Sequence, residues 1–319
     1  MLFEGSEKKA EIIINSDKMS FLNDFDQSFW EEMVDACHAK ILSSISNDNC
    51  TAYLLSESSL FVWHDRILIL TCGTTRLVKS VEYVLSRINK NCVEQVIYQR
   101  KNEYFAQQQL TSFGDDIKLL SNYISGIALR YGPLDAHHNY VFHQDNNFKC
   151  ESTDKTYELL AYQIGKDASV HLTSPGLKSK QIRDYLHLDE LLPGFMFDDF
   201  VFDPYGYSVN AINGEKYLTI HITPQLDSSY VSFEANINLF DLLPTLIEIL
   251  QPNSFDVLTF NEFAHDECAK QIPNHYVCQT RVEQQLANGY LVNFNTYILP
   301  ADDKTVATAI DILGESNAL

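Results

Sequence analysis

Positive charge is scarce in this chain: 23 lysines and arginines stand against 43 aspartates and glutamates, a formal net charge of -20. A surface of that sign keeps a protein soluble, repels phosphate backbones and attracts cations, so nucleic acid is not an expected partner. Long apolar runs are missing too. None approaches the roughly 18 residues that a membrane span needs, so no membrane is expected. The opening MLFEGSEKKAEIII has early acids and no small-residue cleavage site after an apolar core, unlike a secretory signal, and points to a cytoplasmic protein. Cysteine pairs are absent. The seven cysteines, at 37, 50, 72, 92, 150, 268 and 278, are odd in number, scattered and without a C-x-x-C pair. Reduced thiols fit that pattern better than a disulfide framework or a zinc site. There is no P-loop, G-x-G-x-x-G or H-E-x-x-H motif, no short-period repeat and no long linker.

With 319 residues, 45% of them hydrophobic, a sizeable core is expected, in one large domain or two. Residues 9–15 read as a strand. Residues 28–45 place Phe29, Met33, Cys37, Ile41 and Ile45 near helical spacing, and a helix after Gly73 carries Leu77, Val81, Val84 and Ile88 on one face. Helices are also expected at 115–126, 154–165 and 236–250, the last limited or kinked by Pro244. Strands or turns are expected in GFMFDDFVFDPYGYS, YLTIHITPQ, SSYVSFEANI, SFDVLTF and GYLVNFNTYIL, and loops at 101–114 and 143–156. Strands and helices in mixed order favour α+β layering over a doubly wound parallel sheet. Two strands can be read by face. In YLTIHIT, Leu218, Ile220 and Ile222 oppose Tyr217, Thr219, His221 and Thr223. In YVSFEAN, Val231, Phe233 and Ala235 oppose Tyr230, Ser232, Glu234 and Asn236.

Several candidate motifs carry little. His137, His138 and His143 lie in a polar, loop-like stretch and read as surface histidines rather than metal ligands; no metal is expected. Gly206-Tyr207-Ser208-Val209-Asn210 approaches a nucleophile elbow but lacks the final glycine. The segment YLLSESSLFVWHDRILILTCGTT is different, because hydroxyls flank a carboxylate between two strand-like stretches, with Cys72 soon after. A serine hydroxyl that attacks the preceding carbonyl turns the amide into an ester, given a strained peptide and a nearby base. Elimination from that ester breaks the chain and leaves dehydroalanine, which hydrolyses to a pyruvoyl group. Such a ketone can form a Schiff base with an amine substrate and draw electrons from a breaking C–CO2 bond, and a nearby cysteine could return a proton.

At this point the chain resembles the eukaryotic-type S-adenosylmethionine decarboxylase proenzymes. The resemblance runs through FEGSEK at 3–8, YLLSESSLFV at 53–62, LTCGTT at 70–75, YQRKN at 98–102, DKTYE at 154–158, LLPG at 191–194, FDPYGYSVN at 202–210, YLTIHITPQ at 217–225 and YVSFE at 230–234. It implies a four-layer αββα sandwich with two antiparallel sheets in two similar halves. It also implies one decarboxylase domain over 1–319, self-cleaved between Glu57 and Ser58 into a β chain 1–57 and an α chain 58–319. The implied product is decarboxylated S-adenosylmethionine, the aminopropyl donor for spermidine and spermine, and the resemblance allows a homodimer of αβ units.

By the same resemblance Ser58 becomes the pyruvoyl cofactor, His221 and Ser208 drive processing, and Cys72 is the proton donor. Glu4 and Glu7 are the acidic pair at the substrate site, Phe3 and Phe202 stack on adenine, and Glu57 and Gln225 border the substrate. Gln225 stands where the family has a glutamate on the ribose hydroxyls, and Leu70 where the animal enzymes have a lysine. A cluster of Glu11, Asp154, Thr156, Glu158, Glu234, Phe260 and Tyr290 matches the putrescine-binding site of the animal enzymes. Without a lysine at position 70, its acids are expected to depend more on an outside cation. The alternative reading is a catalytically dead paralogue serving as the regulatory subunit of an active partner; such paralogues typically lose the Glu-Ser site, which is present here.

Overall fold

Alternating apolar and polar residues resolve, in the computed structural model, into two antiparallel sheets and their helices. The structure describes residues 5–56, 58–225, 229–262 and 270–300. The first half forms β1 (Lys8–Ile14), β2 (Ile41–Ser46), β3 (Thr51–Leu55), β4 (Ser58–Val62), β5 (Arg66–Thr71), β6 (Val93–Lys101), β7 (Gly126–Tyr131) and β8 (Asn139–Gln144). The second forms β9 (Thr156–Tyr162), β10 (Met196–Val201), β11 (Tyr207–Asn213), β12 (Lys216–Thr223), β13 (Tyr230–Ala235), β14 (Ser254–Phe260), β15 (Val277–Gln285) and β16 (Leu291–Ile298). The orders are β2-β3-β4-β5-β1-β6-β8-β7 and β10-β11-β12-β13-β9-β14-β16-β15. The second is the first advanced by eight strands, so the chain consists of two similar halves.

Helices cover the outer face of each sheet. On the first lie α1 (Phe21–Asp24), α2 (Gln27–Ala36), α3 (Leu77–Arg87) and α4 (Phe113–Leu120), packed with Ile12, Trp30, Leu60, Val81, Tyr98 and Phe142 in one core. On the second lie α5 (Lys166–Leu172), α6 (Ser179–Tyr185), α7 (Leu188–Leu191) and α8 (Leu243–Leu250), around Leu159, Leu186, Val209, Ile220, Phe233 and Leu243. The inner faces meet as the expected αββα sandwich. Two apolar clusters span the gap, one with Ile97, Val141, Leu258 and Phe294, the other with Phe61, Leu68, Leu70, Ile212 and Tyr217. Between and beside these pillars the layer is polar. Lys101 pairs across it with buried Asp256, which also accepts from Tyr162 Oη at 3.0 Å and Thr296 Oγ1 at 2.7 Å. Lys101 and His137 hold the Asp256 carboxyl down at about 2 against the upward push of burial. No helix among the described residues is long and apolar enough to cross a membrane.

Four sequence expectations need correction. The helix expected at 28–45 ends at Ala36, where Cys37 caps it and His38 turns at φ 69, and residues 41–46 form β2 with every second residue exposed. The helix expected at 154–165 is the central strand β9, buried on both faces, with Tyr157, Leu159 and Ala161 in the outer core and Glu158 in the polar layer; an unbroken buried run of this kind is not separated from a buried helix by periodicity. The helix expected at 236–250 begins only at Leu243, so Pro244 opens it, where its missing N–H leaves no orphan. Two of the three histidines are not on the surface: His138 is 9% exposed and His143, in β8, 1%, while His137 is half-buried with Nδ1 3.2 Å from Asp256.

Candidate active site

Adjacent strands place the hydroxyls and the imidazole. Ser208 of β11 and Ser232 of β13 are the cross-strand partners of His221 on β12, so the three share one row of the inner face. Ser58, at the start of β4 in the opposite sheet, reaches across with Oγ 2.9 Å from His221 Nε2, while Ser208 Oγ lies 2.8 Å from Nδ1. Ser59 Oγ lies 3.3 Å and Thr219 Oγ1 2.9 Å from the same Nε2, and Asn210 Oδ1 accepts from both hydroxyls at 2.6 and 3.0 Å.

Ser58 and Ser59 are neighbours, and a regular strand would point them to opposite faces. Ser58 has φ 140, a backbone region that L-residues rarely occupy, and that twist accompanies the meeting of both hydroxyls at one imidazole. The strain lies at the residue whose amide nitrogen belongs to the Glu57–Ser58 bond. His221 is buried, and desolvation lowers its pKa to about 3, so the ring is neutral and able to accept a proton.

Ser58 is paired with Thr71 across β4 and β5, and Cys72 is the first residue beyond β5, 9% exposed. The turn that follows is tied down. Lys8 Nζ donates to the Gly73 carbonyl at 2.9 Å, and Thr75 Oγ1 lies 2.9 Å from the Cys72 carbonyl. Gly5 packs so closely that a Cβ there would meet Tyr230 Cβ at 2.8 Å, which holds the segment before β1 against β13. Glu7, in that segment, accepts from Ser232 Oγ at 2.5 Å. Burial pushes its carboxyl up to about 8; the Ser232 hydrogen bond opposes the shift, Glu234 and Glu158 add to it, and Lys9 opposes it. Phe202 is half-buried beside Phe200, with ring centres 4.9 Å apart, and Gln225 is half-buried just beyond β12. Phe3, Glu4 and Glu57 lie outside the described residues.

The acids expected to gather do so in the inter-sheet layer, but with their own cations. Lys9 Nζ, on the same face of β1 as Glu11, lies 2.8 Å from Glu158 and 2.9 Å from Glu234. Arg66 Nη1 lies 3.1 Å from Glu11 and 2.8 Å from Asp154, and Tyr290 Oη donates to Asp154. Phe260 sits 5.7 Å under the Lys9 ammonium and pairs in register with Thr156. Burial pulls Lys9 down, yet Glu158 and Glu234 more than offset this and hold it above its ordinary value. Burial raises Glu234 to about 7, with Lys9 opposing the shift. Leu70 packs in an apolar pillar, and the internal cations of the cluster come instead from Lys9 of β1 and Arg66 of β5, each shared by two carboxylates.

Sequence reasoning did not single out Ser59, Asn210, Thr219, Ser232, Lys8, Lys9 or Arg66. For Thr219 and Ser232 the signal was present, since both stand on the polar faces of their strands. For Lys9 it was alternation in β1, which puts Lys9 and Glu11 on one face. Ser59 has no such signal, because its neighbour's positive φ breaks the alternation.

The adenosylmethionine decarboxylase family model matches residues 1–298. Similar chains include the S-adenosylmethionine decarboxylase proenzymes of Leishmania infantum, 31% identical over 97% of this chain and 86% of that one, and of Dictyostelium discoideum, 33% identical over 82% and 75%. Among solved structures, the Trypanosoma brucei AdoMetDC-delta26 monomer is similar with a TM-score of 0.58 and 25% identity, over 76% of this chain and 99% of that one.

Burial of His221 generates a pH prediction. The native ring binds a proton only near pH 3, whereas an unfolded histidine does so near 6.5, so the stability it contributes is present above about 6.5 and is lost as pH falls toward 3. In a Ser58→Ala chain, 15N NMR should find this ring neutral and untitrated between about pH 5 and 8. A midpoint near 6.5 would show an imidazole that water reaches.

Proposed function

The chain belongs to the adenosylmethionine decarboxylase family, and on that premise we propose that it removes CO2 from S-adenosylmethionine with a pyruvoyl group made from its own Ser58. The observation that carries this reading is the strained, buried Ser58 with its hydroxyl 2.9 Å from neutral His221 Nε2. The Ser58 oxygen attacks the Glu57 carbonyl carbon, the C–N bond breaks, and the amide becomes an ester with a free amine. With its Nδ1 proton on Ser208 Oγ, the imidazole keeps the Nε2 lone pair for a proton from Ser58, and the Ser208 hydrogen is left to donate to the oxyanion formed at the attacked carbonyl. His221 passes the Ser58 hydroxyl proton to the departing amine nitrogen and then takes the Ser58 α-proton, the Glu57 carboxylate leaves, and the dehydroalanine that remains takes up water and loses ammonia. The pair of serine and base fits a pyruvoyl group at position 58. When present, that group supplies a ketone that captures the substrate amine and accepts the electron pair freed as CO2 departs.

The surrounding side chains suit a cationic substrate. Glu7 holds a proton at neutral pH through its burial and gives it up when a sulfonium arrives, because a nearby positive charge favours the carboxylate. Phe202, with Phe3, supplies a ring face for adenine, and Gln225 offers a neutral amide to the ribose. Cys72, fixed by the Lys8 and Thr75 contacts to its turn, returns a proton to the substrate carbon. Cys72→Ala should leave self-cleavage at least partly intact while cutting decarboxylation by about 10²–10⁴-fold, the range for one proton-transfer group. Single-turnover CO2 release at the wild-type rate would remove Cys72 from the mechanism.

Lys9 and Arg66 stand in for an activating diamine, each giving one charge to two carboxylates. Putrescine should therefore change neither the rate nor the melting temperature of the wild-type chain. Lys9→Leu, which leaves Glu158 and Glu234 buried without their cation, should cost about 3–5 kcal/mol in urea unfolding, and added putrescine should recover part of it. Several-fold stimulation of the wild type by putrescine would contradict the substitution.

A further inference from the structure

His221 Nε2 is crowded: Ser58 Oγ at 2.9 Å, Thr219 Oγ1 at 2.9 Å and Ser59 Oγ at 3.3 Å all surround one lone pair. A hydroxyl has a single hydrogen, and an unprotonated ring nitrogen accepts one well-formed bond. If Ser59 or Thr219 donates to Nε2, Ser58 has no base. Which hydroxyl wins is therefore a question of where the other two hydrogens go.

Ser59 Oγ and Thr219 Oγ1 lie 3.1 Å apart, so one can donate to the other, but only Asn210 can take both hydrogens at once. Asn210 is 0% exposed and stands beside Thr219 across β11 and β12, and its Oδ1 lies 2.6 Å from Ser59 Oγ and 3.0 Å from Thr219 Oγ1. A carbonyl oxygen has two lone pairs and room for both hydrogens. Its own Nδ2, equally buried, has no hydrogen-bond partner. An amide kept only for packing would be expected to satisfy both ends, whereas here the acceptor end alone is used.

We propose that Asn210 is a positioning residue for self-cleavage: its amide oxygen collects the Ser59 and Thr219 hydrogens, so that Ser58 is the one hydroxyl that donates to His221 Nε2. Asn210 touches no reacting atom and acts through the two hydroxyls. The inference rests on the reading of Ser58 as the self-cleaving nucleophile.

The test follows the appearance of the 58–319 chain with time on a denaturing gel, for chains whose fold is checked by circular dichroism. Asn210→Leu removes the acceptor at similar size and should slow cleavage about tenfold, the population change that the preference of one neutral hydrogen bond produces. Asn210→Ala, run in parallel, reads the same quantity if leucine itself disturbs folding. The decisive chain is Asn210→Leu with Ser59→Ala and Thr219→Val. It has no competing hydroxyls, so cleavage should return toward the wild-type rate. An unchanged rate in both single variants overturns the proposal, and so does a slowed rate that the triple variant does not recover, since packing lost at Asn210 is not restored by removing two hydroxyls. Failure of the wild type itself to cleave would instead sink the reading of Ser58.

Discussion

His221 is neutral because it is buried between the two sheets, and that burial places demands on everything around it. Burial removes the imidazolium form at neutral pH but also makes the ring a weaker base, so the short contacts to Ser58 and Ser208 must aim it at its proton. Burying it between two sheets adds a further constraint, because the same layer must hold the hydroxyls, amides and carboxylates of the site. Each must find a partner or stay unsatisfied at about 1–3 kcal/mol. The pairs of Lys9 with Glu158 and Glu234, Arg66 with Glu11 and Asp154, and Lys101 with Asp256 answer that demand. The apolar pillars on either side close the layer to solvent.

Duplication explains why the site has contributions from both halves. One sheet presents Ser58 and Cys72 at the ends of β4 and β5, and the other presents Ser208, His221 and Ser232 in one row. Neither half alone contains nucleophile and base together. The same topology fixes what a cut at the start of β4 would do. Residues 1–57 carry β1, β2 and β3; β1 is hydrogen-bonded between β5 and β6, and β3 to β4. The two pieces would stay joined as one sheet, and the release of strain at Ser58 would not open the core.

Much of this was legible in the residues. Alternation in YLTIHIT and YVSFEAN separated the functional face of each strand from its core face, and LSESS with TCGTT pointed to the chemistry. What the sequence concealed has physical causes. The central strand β9 is covered on both sides, and Leu160 and Tyr162 stand on the same face as Glu158, so polar and apolar residues do not alternate along it. The start of α8 is set by Pro244, a residue usually read as a breaker. Lys9 sits in a strand where a lysine looks like surface charge, and its role appears only when β9 and β13 bring Glu158 and Glu234 to it from more than a hundred residues away. Asn210 is likewise ordinary in sequence and gains meaning from Ser59, which reaches it from the opposite sheet.

The central claim is that the fold alone converts Ser58 into an electrophile. Intact mass spectrometry of the purified chain, denatured after incubation without any protease, tests it most directly. The account predicts two species, residues 1–57 and 58–319, the second lighter by one ammonia than a chain that simple hydrolysis before Ser58 would release. One uncut mass, a cut elsewhere, or a 58–319 chain that retains its amino-terminal serine would contradict it.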